Sequence, residues 1–167
     1  MLSDASREGK LARMRELRIV GANGPPGISV TAEDCAELPE SAQVPDVSTL
    51  VPGRAGRGVK LSALLDQVKS AAGGPARFLH VASQDPAFAV SLPLAEAAGA
   101  VVVYSLDGAP LPEKKGGPFR LLVPGHRDEC VHVKQVASLE LSDRPGRDTR
   151  PQDDAAHEAL HRKGKSP

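Results

Sequence analysis

The side chains with reactive chemistry to offer in this sequence are two cysteines, five histidines and a few isolated basic groups. Cys130 closes the run His126-Arg127-Asp128-Glu129-Cys130, where Arg127 and His132 would favour a reactive thiolate; the alternative is a small apolar residue beginning a strand. Cys35 falls on the inner face of a short helix, buried and away from any metal. Two cysteines with no CxxC or Cys/His spacing exclude a zinc site and are too few for a disulfide framework. His80 and His132 lie within strand-like segments as packed or surface residues, and His157 and His161 form an i, i+4 pair without further ligands, so no metal set is assigned. No Gly-x-Gly-x-x-Gly, Walker A loop, His-Glu-x-x-His or Gly-x-Ser-x-Gly is present, which removes the commoner nucleotide, metalloprotease and hydrolase chemistries. No residue is singled out as catalytic.

The chain that must position these groups has 167 residues, enough for one core of the usual size of about 100–200 residues. Three Phe, one Tyr and no Trp leave the core to Val, Leu and Ala and argue against binding single-stranded nucleic acid by stacking. Lys plus Arg and Asp plus Glu both number 21, so no overall basic field attracts nucleic acid or an anionic membrane, and any anion site must be local. The charged N-terminus has no apolar export segment and no run reaches the roughly 18 apolar residues of a membrane span; with so few cysteines this predicts a cytoplasmic protein.

Residues 1–16 read as a helical or flexible lead with a helix over 3–16. Leu17 to Val20 and Ile28 to Val30 read as strands on either side of a Gly/Pro turn. Thr31 and Asp34 have the spacing of a capping box for a short helix ended by Pro39. The stretch from Glu40 to Arg57 is expected to be mostly loop with one strand at Val47 to Val51. Leu61, Leu64, Leu65 and Val68 follow helical spacing and predict a helix over 61–72 closed by Gly73-Gly74, its apolar stripe on a sheet. Strands are predicted at 76–82, 88–92, 101–104, 119–123 and 131–141, the last with a phase break at Gln135, together with a short helix at 94–98 and a turn at 106–109. From Ser142 the sequence is polar and Pro-containing, a tail with at most a lone helix around 153–162. The expected class is α+β: a single domain over 17–141 with a mixed, strand-rich sheet and short helices, a lead at 1–16 and a flexible tail at 142–167.

Six segments recur in a fixed order: Gly58-Val59-Lys60-Leu61-Ser62-Ala63-Leu64-Leu65, Val81-Ala82-Ser83-Gln84-Asp85, Ser91-Leu92-Pro93-Leu94, Leu106-Asp107-Gly108-Ala109-Pro110-Leu111-Pro112, Gly116-Gly117-Pro118-Phe119-Arg120-Leu121-Leu122-Val123-Pro124-Gly125 and Val131-His132-Val133-Lys134-Gln135-Val136. This order resembles the molybdopterin-binding domain of the sulfite oxidase family over about residues 17–141. The resemblance implies that family's fold and a molybdopterin or molybdenum cofactor whose phosphate is held by basic side chains. It places Arg120 and Lys134 on two phosphate-contacting positions and Lys115 where sulfite oxidase has His. A planar Arg fork and a mobile Lys charge suit a buried phosphate. The competing reading is an edge-strand charge for Arg120 and a solvated turn for Lys114 and Lys115.

One departure from the family bears on catalysis. The family's enzymes supply a thiolate to molybdenum from a cysteine upstream of the Gly-Val-x-Leu helix start, followed by a Trp, whereas Ala36 to Glu129 contains no Cys and Val44-Pro45-Asp46-Val47-Ser48-Thr49 stands in its place. Asp46 is a hard oxygen donor where the chemistry favours soft sulfur. Asp85 matches a family Asp before the active-site loop, but Pro86 replaces the usual Gly. Three readings stand: an oxygen-transfer oxidoreductase; a non-catalytic carrier, sensor or interaction module that keeps the pterin-phosphate pocket and acts with a protein partner; and a domain with an empty cleft.

Overall fold

Aliphatic and β-branched residues that alternate with polar ones make strands, and the same residues at helical spacing make the few helices. The computed structural model of the chain describes residues 15–22, 24, 27–69 and 76–150. In chain order the elements are β1 (Leu17–Val20), β2 (Ile28–Val30), α1 (Ala32–Ala36), β3 (Gln43–Val44), β4 (Arg57–Lys60), α2 (Leu61–Lys69), β5 (Phe78–Ser83), β6 (Ala89–Pro93), β7 (Val101–Leu106), β8 (Ala109–Pro110), β9 (Arg120–Leu122) and β10 (Val136–Ser142). Single 3-10 turns lie at Glu40–Ala42, Val47–Thr49, Leu94–Ala97, Glu113–Lys115 and Glu129–Val131.

The mixed, strand-rich α+β class holds, with the strands divided between two sheets rather than gathered in one. The first has the order β2-β1-β10-β5-β6, parallel only where β1 meets β10; the second has the order β3-β4-β7-β8, with β9 also on β7, and is antiparallel throughout. Leu17, Ile19, Leu79, Val81, Leu139 and Leu141 on the first sheet, Val59, Val102 and Tyr104 on the second, and Leu61, Leu64, Leu65 and Val68 of α2 share one core. β7 reads as an unbroken apolar run because both its faces are covered: Val101 and Val103 turn the other way and join Val44, Val47, Leu111 and Leu122 in a smaller cluster.

Local chemistry explains the helix starts. Thr31 Oγ1 accepts from the Asp34 N–H (3.1 Å) and Asp34 Oδ2 accepts from the Thr31 N–H (2.9 Å), the reciprocal box that opens α1. Gln43 then ties α1 and the following turn to the second sheet. Its Nε2 donates to the carbonyls of Cys35 (2.8 Å) and Leu38 (3.1 Å), and its Oε1 accepts from Tyr104 Oη (2.8 Å) and Arg57 Nε (3.2 Å).

Several expectations are corrected. Val47–Thr49 is a 3-10 turn rather than part of a strand, because Asp46 Oδ1 accepts from both the N–H (2.9 Å) and hydroxyl (2.6 Å) of Ser48 and starts it. β4 starts at Arg57, the last residue of the expected loop, and runs through Gly58, where a Cβ would sit 2.6 Å from Val101 Cγ1, so close strand approach demands glycine. The strand expected over 131–141 begins only at Val136, since Gln135 has φ 51° and Asp128 caps a turn at Glu129–Val131. Residues 143–150, expected in the tail, run along β5 and β6: Thr149 N–H donates to the Ala89 carbonyl (2.8 Å), the Ala89 N–H to Thr149 Oγ1 (3.1 Å) and the Gly146 N–H to Ser91 Oγ (2.9 Å). The lead over 1–14, the end of the 61–72 helix with its glycine stop, and the tail from 151 with its histidine pair lie outside the described residues.

Replacing Gln43 by Ala leaves the buried Cys35 carbonyl, the part-buried Leu38 carbonyl and the Tyr104 hydroxyl each short of a partner, and should lower unfolding free energy by about 2–3 kcal/mol; a denaturant midpoint shift at constant m-value checks it. For the 143–150 segment, burial alone would raise the Asp148 carboxyl, but hydrogen bonds from Arg150 outweigh this and hold it below the ordinary 3.8. A depressed folded value means its contribution is complete above that pH and lost as pH falls through the lower one. The Thr149 amide resonance should hold steady at pH 5 and move toward its unfolded position only below about pH 4.

Candidate functional site

The site is organised around Gly116 and Gly117. Gly116 has φ 97°, and a Cβ on Gly117 would overlap the Leu111 carbonyl oxygen, so the turn after Glu113–Lys115 folds back on the β8 exit only without side chains. The Gln135 N–H donates to the Gly116 carbonyl (2.7 Å), the Val136 N–H to the Phe119 carbonyl (2.8 Å) and the Leu121 N–H to the Val133 carbonyl (2.8 Å). From the other side the Gln84 N–H donates to the Gln135 carbonyl (2.8 Å) and Ser83 Oγ to the Lys134 carbonyl (3.1 Å). Three segments distant in sequence are thereby laced together.

That lacing brings Arg120 and Lys134 to the same turn. A Cβ on Gly116 would stand 2.9 Å from Arg120 Cδ and 3.2 Å from Lys134 Cγ, so both aliphatic stems pass over the bare glycine. Arg120 Nη1 donates to the Lys115 carbonyl (3.3 Å), while its Nε is buried with no acceptor. Burial first, and then the neighbouring Arg54, lower its pKa. Lys115 itself is exposed; it offers Arg120 its backbone, and its side chain does not reach the adjoining cavity.

A cavity of about 410 Å³ opens beside this turn, with Lys134 and Lys114 on one wall and Asp85, Phe88 and Val90 on another. Arg120 is not among its lining residues, so the structure joins Arg120 to Lys134 at Gly116 but only Lys134 to the cavity. Asp85 closes its own turn, Oδ1 accepting from the Ala87 N–H (2.9 Å) and the carbonyl from Phe88 N–H (3.0 Å), which leaves Phe88 59% exposed at the rim.

Cys130 and His132 line the same cavity. Burial and then Asp128, whose Oδ1 also accepts from the Cys130 N–H (2.9 Å), push the Cys130 thiol up to about 11. It sits in a 3-10 turn rather than at the start of a strand, and both burial and Asp128 oppose a thiolate there. Cys35 is fully buried in the main core, and burial with Asp34 nearby raises it to about 12. His132 Nδ1 accepts from the Val123 N–H (3.0 Å), which leaves the ring hydrogen on Nε2. Burial, then Arg54 and Arg120, lower its pKa. His80 Nε2 donates to the Arg144 carbonyl (2.8 Å), a packing role. Asp46 is exposed and occupied with Ser48, whose hydrogen bonds lower its pKa.

The sequence reading missed Arg54, Thr149 and Arg150. Thr149 and Arg150 complete the cavity wall, Arg150 being held by Asp148 (2.7 Å), Asp128 (3.3 Å) and the Ser91 carbonyl (3.0 Å). No periodicity or motif marks any of the three, because each acts through tertiary contacts.

The family model described as oxidoreductase molybdopterin binding domain matches residues 48–149. The crystal structure of the sulfane dehydrogenase SoxCD from Paracoccus pantotrophus shares the fold, with a TM-score of 0.56 at 21% identity over 78% of this chain. The match covers 38% of the SoxCD chain, so this chain spans well under half its length. No curated protein sequence matches. Among the described residues no helix is long and apolar enough to cross a membrane.

Gly116→Ala should cost about 1–3 kcal/mol through the left-handed backbone and displace both stems. Thermal melting gives the first effect, and shifts of the Arg120 and Lys134 side-chain resonances the second.

Proposed function

The chain belongs to the oxidoreductase molybdopterin binding domain family, and on that premise we propose that it holds the phosphate end of a pterin cofactor at the Gly116 turn. Arg120 and Lys134 form the clamp, and Lys115 adds an outer positive charge. The observation that carries this reading is the buried Nε of Arg120, a charged donor without an acceptor beside a second cation and a glycine that leaves room. A buried donor of this kind costs about 1–3 kcal/mol until it is satisfied, and a phosphate oxygen satisfies it.

The metal end fits less well. Molybdenum in this cofactor supplies oxygen-atom transfer when a protein thiolate completes its coordination, and neither cysteine suits that role. Cys35 is sealed in the core, Cys130 lies in the turn after β9 rather than upstream of the Gly58-Val59-Lys60-Leu61 segment, and the sequence has no other cysteine. We therefore favour a pterin-binding module without robust turnover, a carrier, sensor or partner of another protein. On its cysteine usage, two residues without disulfide-framework spacing, we assign the chain to a reducing compartment such as the cytoplasm.

Titration with a phosphorylated pterin, followed by fluorescence, tests the clamp. Arg120→Ala should weaken binding by about 1.5–3 kcal/mol, on the order of tenfold or more, and Lys134→Ala by a smaller factor. Equal affinity in wild type and Arg120→Ala would refute the clamp. On the metal side, Cys130→Ala should leave any molybdenum content unchanged; loss of metal with robust sulfite or sulfoxide turnover in the parent would show that Cys130 is a ligand.

A further inference from the structure

β6 ends the first sheet, and residues 143–150 lie along it where a further strand would pair. Hydrogen bonds tie them there: Thr149 and Ala89 bond each other through both amides, the Gly146 N–H donates to Ser91 Oγ (2.9 Å), and Arg150 Nη2 donates to the Ser91 carbonyl (3.0 Å). None of residues 143–150 is buried, and none gives an apolar side chain to either core cluster. A segment held this way opens at low free energy while the sheet beneath it stays folded.

The same segment is a wall. Thr149 and Arg150 line the cavity of about 410 Å³ together with Phe88, Cys130 and Lys134. Arg150 fastens it shut, its guanidinium binding Asp148 (2.7 Å) and, across the cavity wall, Asp128 at the head of the Glu129–Val131 turn (3.3 Å). Asp128 has an anchor of its own, since its N–H donates to His126 Nδ1 (3.0 Å) and His126 is bound to Glu96 (2.7 Å). At the near end the strap is pinned. His80 Nε2 donates to the Arg144 carbonyl (2.8 Å), and Gly146 rests on the His80 ring, where a Cβ would stand 2.6 Å from Cε1.

We propose that residues 147–150 are a gate, hinged at Gly146 and latched by Arg150, that swings off β6 to open the cavity. The cavity has the size of a small-molecule site, about 300–1,000 Å³, so the gate sets when a molecule of that size enters or leaves. Its motion does not depend on what the cavity holds, so a failure here would leave the phosphate clamp untouched.

Cys130, half-buried on the cavity wall, reports opening, and Cys35, sealed in the core, reports unfolding. The probe is a bulky thiol reagent applied to the native full chain, with the labelled cysteine identified by mass spectrometry. Arg150→Gln removes the latch and should raise the Cys130 labelling rate on the order of tenfold. Burial raises that thiol and Arg150 partly offsets it, so losing the charge would by itself slow the chemistry, and faster labelling means access. Gly146→Ala lines no cavity and keeps the latch, yet it forces the strap away from His80 and should raise the rate severalfold. In both variants amide exchange should quicken at Thr149 and Ala89 and stay unchanged in β10 at the sheet centre. If one variant unfolds, the other decides. Faster strap amides with Cys130 labelled at the wild-type rate would make the segment a fraying cover and refute the gate. Cys35 labelled in step with Cys130 in both variants would mean that the cavity opens only by unfolding, and unchanged exchange at Thr149 in both would mean that neither residue governs the strap; each overturns the proposal.

Discussion

The absence of a side chain at two adjacent positions governs the functional half of this fold. Gly117 must lie against the Leu111 carbonyl and Gly116 must take a left-handed backbone, or the segment leading into β9 cannot return to the second sheet. Because it does return, the Gly116 carbonyl accepts from Gln135 and the approach to β10 is pinned beside β9. Because it carries no Cβ, the stems of Arg120 and Lys134 share one surface. The same lacing puts Lys134 on the cavity that Cys130 and His132 line from the far side.

Desolvation sets the charge states there. It is the leading cause of the lowered pKa of Arg120 and His132 and of the raised pKa of Cys130. The segment at 143–150 contributes differently: Arg150 holds Asp128, and Asp128 caps the Cys130 turn and adds to burial in raising the thiol.

What the sequence revealed follows from how local each cause is. The stripe of Leu61, Leu64, Leu65 and Val68, the Thr31 to Asp34 cap and the alternation around Leu17 and Leu139 are written within a few residues, and all lie where periodicity places them. Gly58 hides a strand because the reason for glycine is Val101, more than forty positions away. The polar run at 143–150 hides its attachment because its partners are edge groups of β6. Division into two sheets depends on which face each strand covers, which alternation does not specify. Of the site, Arg120 and Lys134 were visible only through the resemblance of whole segments, whereas Arg54 and the fixed tautomer of His132 need the folded chain.

Retention of a pterin through its phosphate, without a cysteine thiolate, can be measured directly. Protein purified from a host that makes the cofactor can be oxidised and its released pterin measured by fluorescence, with molybdenum determined on the same sample. Wild-type protein should carry nearly one phosphorylated pterin per chain, and the same content when both cysteines are replaced. Wild-type protein that emerges without pterin, or pterin lost together with Cys130, would contradict it.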